Sequence, residues 1–325
     1  MEEKIKSLRI AADIHKQVRK MVKDDIKPGA KILDICEKIE NNVRLLSKYD
    51  AEKPLLQGIG FPCGFSVNNC AAHWTPVTSN EKRRIKKGDV CKIDFGVHVN
   101  GYIIDSAWTV AFDEKYNNLL NATKDATNMG LKLAGCDARI SEISANIEEV
   151  INSYDIMLNH KRYKIKPVRS LCGHQIEKYK IHHKKAIPII RMDNYHEKMK
   201  EGEFYAIETF ASTGTGNVIE RGDCSHYMVD YKNEKKKNFQ NMRSDEKLLL
   251  TTLYKKRSTL PFCPRWLKRY GINNYSADLN NLVNRNIINT YPPLYDIKGS
   301  YISQFEHTIL IYNDKTEVLS RGDDY

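Results

Sequence analysis

Residues 90 to 110 read Val90-Cys91-Lys92-Ile93-Asp94-Phe95-Gly96-Val97-His98-Val99, then Asn100-Gly101, then Tyr102-Ile103-Ile104-Asp105-Ser106-Ala107-Trp108-Thr109-Val110. Two apolar, β-branched runs flank an Asn-Gly pair, the strongest short signal for a two-residue hairpin turn. With Asn100-Gly101 as the turn, Val99 pairs with Tyr102, His98 with Ile103, and Gly96 stands opposite Asp105. Side chains alternate along a strand, so Asp94, Gly96, Asp105 and Ala107 share one face. The two aspartates become diagonal neighbours, about 7 Å apart at the backbone. Two carboxylates on an otherwise apolar hairpin are costly unless a positive charge lies between them. Taken alone, the same face could simply meet water, as many antiparallel strands do.

The rest of the chain supplies more isolated polar groups in apolar settings. Gly202-Glu203-Phe204-Tyr205-Ala206-Ile207-Glu208-Thr209-Phe210 reads as a strand with Glu208 on the face of Phe204, Ala206 and Phe210. Ser303 to Tyr312 reads as a final core strand carrying Glu306, and His174 directly follows Gly173, whose missing side chain permits close backbone approach. Asp94, Asp105, His174, Glu208 and Glu306 thus form four carboxylates and one imidazole. Four buried negative charges repel one another, and their pKa values rise unless cations occupy the space. Two divalent metals balance them in number, and a carboxylate-rich set with one His suits Mn, Fe, Co or Zn. Paired metals about 3.5 Å apart can share a hydroxide nucleophile and polarise a carbonyl, which points to hydrolysis.

Bulk properties exclude several classes. At 325 residues, with 41% hydrophobic and 29% charged residues, the chain is globular rather than disordered. The opening Met1-Glu2-Glu3-Lys4 has no apolar signal segment and no run of 18 apolar residues occurs, so the expectation is a cytoplasmic protein with no membrane span. Eight scattered cysteines without a Cys-x-x-Cys pair suit reduced thiols. The net charge of +11, with clusters at Lys82-Arg83-Arg84, Lys86-Lys87, Lys184-Lys185, Lys235-Lys236-Lys237 and Lys255-Lys256-Arg257, raises affinity for polyanions, ribosomal RNA included. No aromatic RNA-binding motif accompanies them, and each cluster alone reads as solvated surface. The closing Arg321-Gly322-Asp323 reads as chance.

Periodicity predicts helices over 1–24, 32–47, 116–134 and 140–153, the last two as covers on a sheet. The Gly-, Pro- and Asn-rich residues 54–76 predict short strands and tight turns, with His73 after two alanines. From 229 to 292 the chain turns lysine-rich and then helical, around 244–250, 265–270 and 279–288, like a small insertion.

At these residues the sequence closely resembles the type 2 methionine aminopeptidases of peptidase family M24. The likeness covers nearly the whole chain and is strongest at 61–76, 90–110, 166–190, 202–228 and 291–325. The order Asp, Asp, His, Glu, Glu is that family's, and the 229–292 insertion is typical of type 2. The resemblance implies one pita-bread metallopeptidase domain over 1–325: an α/β (α+β) fold with a curved antiparallel sheet covered by helices, in pseudo-twofold symmetry. It implies that Asp94 chelates one metal, Asp105 and Glu306 bridge both, and His174 with Glu208 holds the other, Glu208 doubling as proton shuttle. His73 matches the histidine alkylated by fumagillin-type epoxides, and His182 the second substrate-side histidine. Phe61 and His226 match the methionine pocket, Tyr291 and Leu294 its mouth.

The implied activity is removal of the initiator methionine from nascent polypeptides when the second residue is small, by a monomer. Two departures stand out. Cys172 replaces an Asn of the animal enzymes, which alters pocket polarity, and their charged N-terminal extension is absent, which leaves ribosome association to the surface lysines. Two other readings compete: a prolidase or proline-specific aminopeptidase with the same ligands, and a non-catalytic RNA- or ribosome-binding relative. The Phe61 to His73 segment and the insertion speak against the first. Retention of all five ligands and both histidines speaks against the second.

Overall fold

The computed structural model describes residues 1–230 and 241–325. The Lys235-Lys236-Lys237 cluster, and with it part of the 229–292 segment, lies outside the described residues.

The hairpin forms in the expected register. Strands Val90–Val99 and Tyr102–Ala111 pair antiparallel, with Val99 opposite Tyr102, Gly96 opposite Asp105 and Asp94 opposite Ala107. Asn100 and Gly101 both take positive φ, 53° and 80°, as the tight primed turn requires. Strands Gln57–Ile59 and Gly64–Val67 pair along the other edge of the Asp94 strand, Gly64 opposite Asp94 itself.

A second antiparallel sheet runs in the order Lys315–Val318, Ile302–Tyr312, Phe204–Ser212, Cys172–Ile176, Ala186–Pro188. It sets Glu208 directly opposite Glu306, and Ala206 opposite His174. The two sheets are tied along the Asp105 and Glu306 strands by side chains. Thr308 Oγ1 accepts from the Asp105 amide at 2.8 Å and donates to its carbonyl at 2.6 Å, and the Ser106 hydroxyl donates to the Glu306 carbonyl at 2.8 Å. Asp105 and Glu306 are therefore brought together by the seam itself.

Helices cover each half in turn. Helices α1 (Glu2–Val22) and α2 (Ile32–Leu46) pack on the hairpin sheet, their buried faces (Leu8, Ala11, Val18; Ile35, Ile39, Val43) sharing one core with Phe65, Phe95 and Val97. Helices α3 (Asn117–Leu133) and α4 (Ile140–Asn152) pack on the second sheet over a separate core containing Leu119, Ile143, Ile147, Ile207 and Ile309. Each half is a helix pair over an antiparallel sheet, the repeat of the pita-bread fold. Buried area of this kind drives the assembly. Among the described residues no helix is long and apolar enough to cross a membrane, and all eight cysteines are free.

Beyond residue 225 the chain differs in detail from the periodicity. His226–Val229 pairs with Ile288–Tyr291, so the excursion leaves and rejoins along one two-stranded ribbon. Helix α5 extends over Ser244–Arg257, well past Leu250. Residues Pro264–Tyr270 form a 3-10 helix that Gly271 ends at φ 81°. Helix α6 is Ser276–Asn284 rather than 279–288. It stops because Asn286 turns to positive φ and Ile288 is taken by the ribbon. Leu253, Phe262 and Trp266 of this segment lie in the same core as α1, α2 and the hairpin.

Candidate metal centre and its cavity

The five expected ligands converge at the join of the two sheets. Asp105, His174 and Glu306 each present a donor atom within 4.8 Å of the others, and so do Asp94, Glu208 and Glu306. Glu306 belongs to both triads. Asp105, His174 and Glu306 are buried; Asp94 and Glu208 are half-buried. Gln304 clamps two of the carboxylates: its amide nitrogen donates to Asp94 Oδ2 at 3.0 Å and to Glu208 Oε1 at 2.7 Å. Gln304 escaped the sequence reading, although it stands two residues before Glu306 on the same strand and hence on the same face.

The electrostatics are those of a cation site. Burial first, and then repulsion among the carboxylates, pushes Asp94, Glu208 and Glu306 well above the usual carboxyl range. Burial pushes Asp105 up to about 7 and His174 down to about 4. Asp94 Oδ1, Asp105 Oδ1, both Glu306 carboxylate oxygens and His174 Nδ1 are buried without a hydrogen-bond partner among the described residues. Unpartnered oxygens in that number are expensive, and divalent cations satisfy oxygen and imidazole donors together. The donor set thus fits divalent cations.

A cavity of about 70 Å³ opens on these ligands. Phe61, His73, His182, His226 and Tyr291 line it, and Asp94, Asp105, His174 and Glu208 form its floor. Two further walls escaped the sequence reading: Ile181, the neighbour of His182, and Pro261, which comes from the 229–292 segment. Leu294 is not part of the lining. Its strand pairs with Ile219–Glu220, its carbonyl accepts from the Ala71 amide at 2.7 Å, and its side chain packs in the second core. It therefore braces the His73 loop from behind.

His73 adopts the left-handed conformation, φ 65°, uncommon for a residue with a side chain. Its carbonyl is held by Ser225 Oγ at 2.5 Å and by His226 Nδ1 at 2.9 Å, so His226, itself a wall of the cavity, also fixes the His73 backbone. Burial, followed by the neighbouring His226 and His182, pushes the His73 imidazole down to about 3, and burial pushes His226 to about 4. Both rings are neutral near pH 7. The ring of the exposed His182 stands edge-on to His174, centroids 4.3 Å apart, and both His73 and His182 approach Tyr291 at about 6 Å. Cys172 is half-buried, its thiol pushed up to about 11 by burial and then by Glu208.

The profile of metallopeptidase family M24 matches residues 6–237. The chain belongs to that family. As an M24 metallopeptidase it is 49% identical, over 319 residues, to methionine aminopeptidase 2 of Komagataella phaffii, covering 98% of this chain and 70% of the relative. Among solved structures it superposes on a thermophilic Arx1 with a TM-score of 0.84 at 21% identity, covering 100% of this chain and 92% of that one. The methionine aminopeptidase of Thermotoga maritima follows with a TM-score of 0.65 at 18% identity, covering 99% and 98%. At such identities the structural likeness speaks for the fold. The M24 family is one of metal-dependent peptidases, in keeping with the ligand cluster.

Proposed function

We propose that this M24 metallopeptidase removes the N-terminal methionine from nascent polypeptides and peptides whose second residue is small and uncharged. The observation that carries the reading is the continuity of a narrow apolar and histidine-lined cavity with a floor of carboxylates and an imidazole, several of whose buried donor atoms have no hydrogen-bond partner among the described residues. Likeness to methionine aminopeptidase 2 over nearly the whole chain supports the choice of substrate.

Asp94, Asp105, His174, Glu208 and Glu306 would hold two divalent ions, drawn from Co, Mn, Fe or Zn. When bound, such ions supply positive charge and Lewis acidity for peptide hydrolysis. Phe61, Ile181, Pro261 and Tyr291 enclose the methionine side chain and exclude water. Neutral His73 and the adjacent His182 offer ring nitrogens to the peptide group and favour charge developing on its carbonyl oxygen. Glu208, beside the floor and with raised proton affinity, takes up the proton of the attacking water and returns it to the leaving amine. The small cavity leaves little room beyond the methionine, which favours small second residues. In the same reading the chain works as a cytoplasmic monomer, 229–292 is a type 2 insertion within one catalytic domain, and surface lysines contribute to any contact with ribosomes.

The test is methionine release from Met-Ala-Ser by metal-stripped protein before and after adding Mn(II) or Co(II), with Met-Lys-Ser and Ala-Pro peptides beside it. Metal-dependent cleavage of Met-Ala-Ser alone is the expected result. Cleavage of Ala-Pro alone would replace the reading with a proline-specific one, and no release under any metal would end it.

A further inference from the structure

Outside the catalytic cavity a positively charged concave surface lies between α2, the loop at 49–59 and the end of α5. A cavity of about 250 Å³ there is lined by Arg44, Lys256, Arg257 and Arg269 together with Tyr49 and Trp266, and no carboxylate is among its lining residues. The four cations are only lightly engaged with acids. Arg44 donates one hydrogen bond, to Asn41 Oδ1 at 3.0 Å, and Lys256 donates to the Ala51 carbonyl at 2.9 Å. Arg269 approaches Glu37 at 3.6 Å, and the nearby Glu40 is taken by Arg265 and the Trp266 indole. Arg257 is buried and spends its hydrogen bonds on the carbonyls of Ile59, Gly60 and Pro261.

Glu37 reaches only Arg269 and Glu40 is already engaged by Arg265, so the four cations around the cavity leave positive charge that a bound anion can offset. Burial is what holds Arg44 below the ordinary guanidinium value, with the attraction of Glu40 opposing it more strongly than Arg269 reinforces it. Guanidinium forks match the oxygens of phosphate, and four cations suit a multiply charged anion better than a single carboxylate. The rings do not offer a platform for a base. Trp266 is 1% exposed, with the guanidinium carbons of Arg257 and Arg44 at 5.0 and 5.8 Å from its ring centroid.

We propose that this cavity is a binding site for a multiply charged phosphate anion, recognised through its phosphoryl oxygens. The site is distinct from the catalytic cavity but adjoins it. Arg257 lines the one and grips Gly60 and Pro261, the backbone next to Phe61 and a wall of the other.

Calorimetric titration of the metal-loaded protein with pyrophosphate and tripolyphosphate tests this. Wild type should bind saturably with one anion per chain. The double variant Arg44→Gln/Arg269→Gln should bind at least tenfold more weakly, and so should Lys256→Glu, a second variant at a half-exposed position. The variant Lys86→Gln/Lys87→Gln removes the same two charges from exposed positions elsewhere and should bind within twofold of wild type. Equal weakening in both double variants would reduce the effect to net charge. Undiminished binding in Arg44→Gln/Arg269→Gln would place the anion on the catalytic metals, and no binding at millimolar concentration would mean no site; each overturns the proposal. ATP should bind no tighter than tripolyphosphate, and a tenfold preference for ATP would overturn recognition through phosphate alone.

Discussion

The ring of Phe61 occupies the space that a side chain at Gly96 would need: a Cβ there would lie 2.3 Å from two of its ring carbons. The Gly60 amide, next to Phe61, donates to the Gly96 carbonyl at 2.7 Å, so backbone and ring are both seated on the strand that carries Asp94. Gly96→Ala must displace the ring from the cavity wall. Overpacking of this kind costs about 1–3 kcal/mol. The expected outcome is a kcat/KM for Met-Ala-Ser lowered at least tenfold, chiefly through KM, with metal content by elemental analysis unchanged.

Gln304 holds Asp94 and Glu208 together through one amide nitrogen. Hydrogen bonds to charged groups contribute about 1.5–3 kcal/mol each. Replacing it by Leu should leave the metals bound, because all five ligands remain, yet lower kcat ten- to a hundredfold as Glu208 loses its fixed orientation. Wild-type kcat in Gln304→Leu would show that the clamp is dispensable.

Metal removal should expose the strain among the carboxylates. In the folded chain Asp105 keeps its proton up to about pH 7, whereas in the unfolded chain it loses it near the ordinary aspartate value of 3.8. The folded state therefore binds more protons between those values, and stability of the chelated protein falls as pH rises through that window. The raised Asp94, Glu208 and Glu306 act in the same direction. The buried His73, His174 and His226 pull the other way below pH 6.5, so the carboxylate contribution is read against Asp105→Asn: between pH 5 and 7.5 the Tm of stripped wild type should change less favourably than that of the variant, and the Tm gain of wild type on adding Mn(II) should be larger at pH 7.5, with protons released on binding.

Glu40 on α2 accepts both guanidinium nitrogens of Arg265 at 2.9 Å and the Trp266 indole at 2.8 Å, all of them buried. Arg265 in turn donates to the Pro76 carbonyl at 3.0 Å. Glu40→Ala leaves a buried cation uncompensated, a loss of about 3–5 kcal/mol. Urea denaturation should show a drop of that size. A change under about 1 kcal/mol would mean water reaches the pair.

Much of the centre was legible along the chain because strand geometry is local. The Asn-Gly turn and a period of two fix which residues of a hairpin share a face, so Asp94 and Asp105 could be placed together before any tertiary contact was known. The same alternation puts Glu208 on the face of Phe204, Ala206 and Phe210, and Glu306 falls on a final core strand. Helix boundaries on strongly periodic segments, as in α2 and α4, followed from one apolar stripe each.

Local order along the chain thus specifies the hairpin, its register, the strands that bear the ligands and, through family likeness, the chemistry those ligands serve. Only the tertiary structure decided which residues from distant segments touch. It seated Phe61 over Gly96, clamped Asp94 to Glu208 through Gln304, brought Pro261 and Ile181 into the cavity, set Leu294 behind it, and assembled the four cations of the second cavity. Periodicity is imposed by covalent geometry within a few residues. Contacts between residues a hundred or more apart arise from the summed packing of a whole core, where no short stretch carries the information.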